Sequence, residues 1–110
     1  MKFISNAFSI NMVESPRMGE SFEVEFKRLS AFDASKAIQE DYFKSVIGHR
    51  DLAEVVGVEL NARLPFNRES VKLRTGDTML VCQYSGPRLP AGCTELPEGA
   101  QIDYFLVSIR

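Results

Sequence analysis

The sequence predicts one α/β domain spanning residues 1–110, built as a mixed sheet of about five strands with flanking helices. Three observations predict it. Several short stretches alternate apolar and polar residues, or are apolar throughout, as strands are; the clearest are Phe22 to Phe26, Thr78 to Tyr84 and Ile102 to Ile109. Between Ser30 and Gly57 the apolar period becomes helical, with Ala34, Ile38, Tyr42 and Val46 recurring every four residues. A chain of 110 residues is long enough for one hydrophobic core and too short for two.

Taken in order, Lys2 to Phe8 reads as a first strand that runs into Ser9-Ile10-Asn11-Met12. Ser15, Pro16 and Gly19 break the chain. Phe22, Val24 and Phe26 then alternate with Glu23, Glu25 and Lys27 in a half-exposed second strand, placed to pair with the first as a long-looped hairpin. Ser30 followed by Asp33 is a capping pattern for the first helix, whose stripe Ala37 widens. Leu52, Val55 and Val56 mark a second, shorter helix, with Gly57 placed to end it as a left-handed cap. Gly48-His49 falls at the joint, near the second helix's start. Pro65 marks a loop, Val71-Lys72-Leu73 a short strand, and Thr75-Gly76-Asp77 a turn. Thr78 to Tyr84 carries apolar side chains on both faces, which makes it central. Ser85 to Gly99 is too rich in Pro and Gly to be regular, and Ile102 to Ile109 closes the sheet.

The net charge of −2 excludes a general electrostatic trap for duplex nucleic acid, which calls for a far more basic domain. An anionic partner must therefore be compact and meet a local basic cluster, if there is one at all. Cys82 and Cys93 have neither disulfide-scaffold density nor metal-site spacing, and Cys82 reads as a buried free thiol. With His49 the only histidine, no ordinary zinc site can be assembled, and neither a metal nor another cofactor is expected. Met1 to Ile4 is too short for a targeting core, and no stretch approaches membrane-spanning length. The expected location is the cytoplasm.

Four segments hold polar groups where packing does not ask for them. Asn6 to Asn11 offers amide and hydroxyl groups at a strand end, suited to phosphate oxygens or base edges, or else to an Asx-turn that only shapes the loop. Gly48-His49 stands where helix-start N–H groups attract an anion, and an imidazolium there can donate a proton to a leaving oxygen; the alternative is a capping or surface histidine. Arg68, in Phe66-Asn67-Arg68, and Arg88, in Gln83-Tyr84-Ser85-Gly86-Pro87-Arg88-Leu89-Pro90, each lie beside a strand. The prolines flanking Arg88 stiffen its backbone. A guanidinium held this way loses less entropy on meeting phosphate; the alternative is a solvated loop arginine in an ion pair.

In their order and spacing these segments resemble the ring nucleases of archaeal viruses and bacteriophages, the type III anti-CRISPR proteins. The resemblance covers nearly the whole chain, through Asn6 to Met12, Ile47-Gly48-His49, Asn67-Arg68 with Val71-Lys72-Leu73, Gly76-Asp77, and Gln83 to Gly92. It implies a mixed sheet with flanking helices, a homodimer, and a site across the two-fold interface that binds cyclic tetra-adenylate and cuts it without metal. It also implies roles: His49 and Arg88 catalytic, with Asn6, Ser9, Asn11, Arg68 and Gln83 around the ligand. One position departs. Relatives carry a Leu-Pro-Glu-Gly pattern after the arginine, and this chain has Ala91 in place of that assisting acid.

The chemistry so implied needs no external nucleophile. A ribose 2′-hydroxyl attacks the adjacent phosphorus in line and leaves a 2′,3′-cyclic phosphate. The protein orients the ribose, stabilises charge on phosphorus and protonates the leaving oxygen. Ala91 leaves room for a second reading, a non-catalytic binder that sequesters the same messenger. A third is an interaction protein that shares only the fold.

Overall fold

The order of strands in the sheet departs from the order of strands in the chain. The structure, a computed structural model, describes residues Met1–Arg110. Its elements are β1 (Lys2–Ser5), β2 (Val24–Leu29), α1 (Ala31–Glu40), β3 (Lys44–Ser45), α2 (Arg50–Leu60), β4 (Thr78–Ser85) and β5 (Gln101–Ile109), with one 3₁₀ turn at Ile10–Met12. The five strands lie in the order β2-β5-β4-β1-β3. β1 runs parallel to β4, with Lys2 opposite Thr78 and Ser5 opposite Val81, and parallel to β3 on its other side. β5 is antiparallel to both β4 and β2. The predicted α/β class and mixed five-stranded sheet are both present.

The two faces of β4 explain its continuous apolar run. Leu80 and Cys82 point into a layer shared with Ile4, Tyr104 and the inner side of α2 (Leu52, Val55, Val56, Leu60). Met79 and Val81 point the other way, against Phe3, Val107 and Ile109, under a cover of Val13, Val46 and Leu73. Helices therefore cover one side of the sheet and connecting loops the other. A strand sandwiched between two apolar layers has no polar face to show in its sequence.

Several expectations are corrected. β1 stops at Ser5 and pairs with β3 and β4, so the first two strands form no hairpin; β2 begins at Val24 and pairs with β5. α1 ends at Glu40, short of the last residues of its stripe. The Asp41 carboxylate accepts the Tyr42 N–H at 2.8 Å, a local bond that competes with the helix ladder, and Tyr42 is 77% exposed. Val46 is buried, but it follows β3 rather than extending a helix. Gly57 lies inside α2. The left-handed residue that ends this helix is Asn61 (φ 53°), and the Ala62 N–H reaches back to the Gly57 carbonyl at 2.9 Å, which is a Schellman ending. Val71 to Leu73 forms no strand; Leu73 makes a single bridge to Val13, and the sheet's remaining strand is instead the short β3, Lys44–Ser45. The Ser30 cap is as expected, its hydroxyl accepting the Asp33 N–H at 3.1 Å.

Candidate functional site

Because β1, β3 and β4 are parallel, their C-terminal ends share one edge of the sheet, the edge at which open α/β sheets bind ligands. Asn6 follows β1, Gly48-His49 follows β3, and Gln83 lies near the end of β4. Residues far apart in the chain are thereby made neighbours. Asn6 Oδ1 accepts the Gly48 N–H at 3.2 Å and fixes how the chain enters α2.

His49 is the N-cap of α2. Its Nδ1 accepts the Leu52 N–H at 3.1 Å, so the neutral ring carries its proton on Nε2 and presents it outward from an exposed side chain. His49 thus both caps the helix and offers a donor. Protonating Nδ1 would end the capping bond.

Asn67 places Arg68. Its N–H donates to the Ile47 carbonyl and its Nδ2 to the Ser45 carbonyl, both at 3.0 Å, clamping the loop to β3. Arg68 then lies along Gly48, where a side chain on that glycine would meet Arg68 Cγ and Nε at 3.7 Å. The carboxylate next in sequence, Glu69, accepts Lys44 Nζ and Asn67 Nδ2, bonds that hold its carboxyl below the usual range. Arg68 is left without an acidic partner. Arg50, the first residue of α2, has its guanidinium over the Phe66 ring at 5.2 Å.

Arg88 sits on the loop between β4 and β5. The Tyr84 hydroxyl donates to the Pro87 carbonyl just before it, and Leu89 just after it is buried in the helix-side core. Gln83 and Asn6 line a cavity of about 450 Å³ with Phe8, Phe26 and Phe105. Ser9 and Asn11 lie on the 3₁₀ turn that follows β1. The Ser9 hydroxyl donates to Asn11 Oδ1 and Lys72 Nζ donates to the Asn11 carbonyl, so both serve the local fold of that turn. A larger cavity, about 940 Å³ along the outer side of α2, contains none of the predicted residues.

Seven of the thirteen lysines and arginines are in ion pairs with carboxylates. Lys27, Arg50, Arg63, Arg68, Lys72 and Arg88 are not. Three of these six, Arg50, Arg68 and Arg88, lie in segments that meet at the start of α2 beside His49. Sequence reading missed Arg50 and Asp51, and named Asn67 only as part of the Arg68 segment, without the clamp it makes to β3. No group of His, Cys, Asp and Glu is arranged to hold a metal ion, and no helix is long and apolar enough to cross a membrane.

No match is found among curated proteins. Among solved structures the chain is similar to B116 of Sulfolobus turreted icosahedral virus, at 26% sequence identity and a TM-score of 0.77 over 97% of each chain. The family model described as STIV B116-like matches residues 2–106, the whole sheet but for its last few residues and both helices included. The chain belongs to the STIV B116-like family of viral proteins.

Proposed function

We propose that this protein is a ring nuclease that binds cyclic tetra-adenylate and cleaves it, without a metal, to linear products ending in 2′,3′-cyclic phosphate, so suppressing type III CRISPR signalling. The observation that carries this reading is the meeting, at the start of α2, of the segments that hold Arg50, Arg68 and Arg88, none paired with a carboxylate, with a histidine there whose free nitrogen is a donor. A chain with a net charge of −2 leaves arginines unpaired at one edge most readily where an anion will pair them.

In the proposed step the 2′-oxygen forms its bond to phosphorus as the bond from phosphorus to the 5′-oxygen breaks. The 2′-hydroxyl proton passes to solvent. Arg68 and Arg88 hold the non-bridging oxygens through charge-assisted bonds that strengthen as charge builds. His49 Nε2–H meets the departing 5′-oxygen. Full proton transfer requires the imidazolium, which gives up the Leu52 cap, so ligand binding and the first turn of α2 are coupled through one ring. A homodimer sets two such edges around one ring, doubling the single histidine and the arginines.

Ala91 favours the second reading, a sequestering binder, because it puts a methyl group at the exposed tip of the Arg88 loop, where relatives of the resembled family carry an acid. Incubating the purified protein with labelled cyclic tetra-adenylate in EDTA, followed by mass analysis, separates the readings. Linear products with cyclic phosphate ends support the nuclease, a bound but intact ring supports the binder, and no binding at all leaves an interaction protein. Sedimentation with and without the ring tests the dimer.

A further inference from the structure

We infer that Asp51 is a positioning residue, whose carboxylate ties the Arg88 loop to the start of α2 so that Arg88 and His49 face a single ligand. The inference rests on the reading of this edge as a phosphodiester site.

The loop from Gly86 to Ala100 contains no helix or strand, and an arginine on so long a segment is ordered only where the segment is anchored. Two anchors follow Arg88 closely in the chain. The first is Leu89, buried among the residues that pack α2 on the sheet. The second lies in the turn Pro90-Ala91-Gly92-Cys93. Cys93 N–H donates to the Pro90 carbonyl at 3.1 Å and Gly92 has φ +76°, which together describe a type II turn. Such a turn closes through its fourth N–H and leaves the third without a partner of its own. That third N–H, on Gly92, donates to Asp51 Oδ1 at 3.2 Å across 41 residues of sequence.

Asp51 is the second residue of α2 and adjoins the capping His49 by one residue. A carboxylate in a first helical turn is favoured there by the helix dipole, and that alone would account for an acid pointing into solvent. It does not account for the bond to Gly92. Asp51 is half-buried and in no ion pair, so the peptide of the loop is the partner the structure gives it. A negative charge beside a phosphate site weakens anion binding by itself. Its presence here is understandable if the order it imposes on Arg88 outweighs that repulsion.

The two effects separate in Asp51→Asn and Asp51→Ala. Asn keeps an acceptor for Gly92 and drops the charge, whereas Ala drops both. Amide hydrogen exchange at Gly92 and along residues 86–99 is compared for the three proteins, beside titrations and single-turnover cleavage with cyclic tetra-adenylate. In Asp51→Ala the loop should exchange faster and the ring should bind ~10-fold more weakly, the cost of one lost bond to a charged group. Asp51→Asn should keep loop protection and bind the ring at least as tightly as the wild type. Asp51→Ser, which suits a first turn but is too short to reach Gly92, should behave like Ala and serves if Ala fails to fold. Unchanged exchange in Asp51→Ala and Asp51→Ser overturns the tether. Faster exchange with wild-type affinity and rate overturns the positioning role. Equal tightening in Asn and Ala reduces Asp51 to a repulsive charge. A wild-type protein that does not bind the ring instead fails the phosphodiester reading, and the exchange data still decide whether Asp51 holds the loop.

Discussion

At His49 the fold and the proposed chemistry use different atoms of one ring, and substitution can take them apart. His49→Ala removes both the cap and the donor; it should cost about 1 kcal/mol of stability and slow cleavage ~10²–10⁴-fold. His49→Asn keeps a side-chain acceptor for the Leu52 N–H, so its melting temperature should stay near wild type while cleavage falls as far as in Ala. Melting curves beside single-turnover rates check this, and an Asn variant that cleaves normally would reduce His49 to a cap. Arg88→Ala should weaken ring binding by roughly 1.5–3 kcal/mol, and Arg88→Lys should recover only part of that, because an ammonium cannot make the planar two-point contact. Titration calorimetry reads both, and wild-type affinity in Arg88→Ala would return this arginine to the solvent. The sequence made His49 visible as a helix start and Arg88 visible between its prolines. It did not reveal which imidazole nitrogen is free, since only the helix geometry selects Nδ1 as the cap acceptor. Asp51 stayed hidden because an acid in a first turn already has a local explanation.

At the scale of elements, α2 shows where sequence rules run out. A glycine near the end of an apolar stripe reads as a left-handed cap, yet Asn61 takes that conformation and Gly57 lies one turn earlier. Both residue types tolerate positive φ, so composition cannot choose between them. Gly57 is needed for another reason: a Cβ there would stand 2.7 Å from the Ala62 carbonyl oxygen, backbone that cannot easily move. Helix propensity favours Ala over Gly by about 1 kcal/mol, but crowding of this kind costs roughly 1–3 kcal/mol. Gly57→Ala should therefore be a net loss, seen as a lower urea midpoint; a midpoint equal to or above wild type would mean the Schellman turn gives way freely. β3 escaped detection because two residues have no period to read. Ile38, Tyr42 and Val46 shared a helical spacing across a boundary that Asp41 enforces with a local hydrogen bond. Val71 to Leu73 has strand-like residues because Leu73 covers the sheet, not because it joins it.

For the molecule as a whole, the class and the five-stranded mixed sheet were legible, while the order of the strands was not, because pairing partners follow from packing rather than from any local pattern. The helix-side layer also holds the two most perturbed acids. Burial, with the charge of Glu59 adding to it, pushes the Cys82 thiol from 9.0 up to about 12. Burial, then the hydrogen bond to Glu59 at 2.7 Å and its charge, raises the Tyr104 phenol. An acid whose value is raised by folding contributes stability that is fully present below its unfolded value and is lost as pH climbs through its folded one. The melting temperature should therefore fall between pH 9 and about 12, with Cys82 unreactive to thiol reagents until the fold opens. A flat profile over that window, or rapid modification of native Cys82, would contradict the burial. The position of β1 carries a last consequence, for synthesis. Of the strands of this sheet, the earliest to be synthesised lies between β3 and β4, and its longer partner begins only at Thr78, so that pairing waits for more than seventy residues after β1 to be made. Until then Phe3 and Ile4 have only the two-residue β3 beside them. A chain stalled or truncated before Thr78 should thus be an aggregation hazard rather than a half-folded domain.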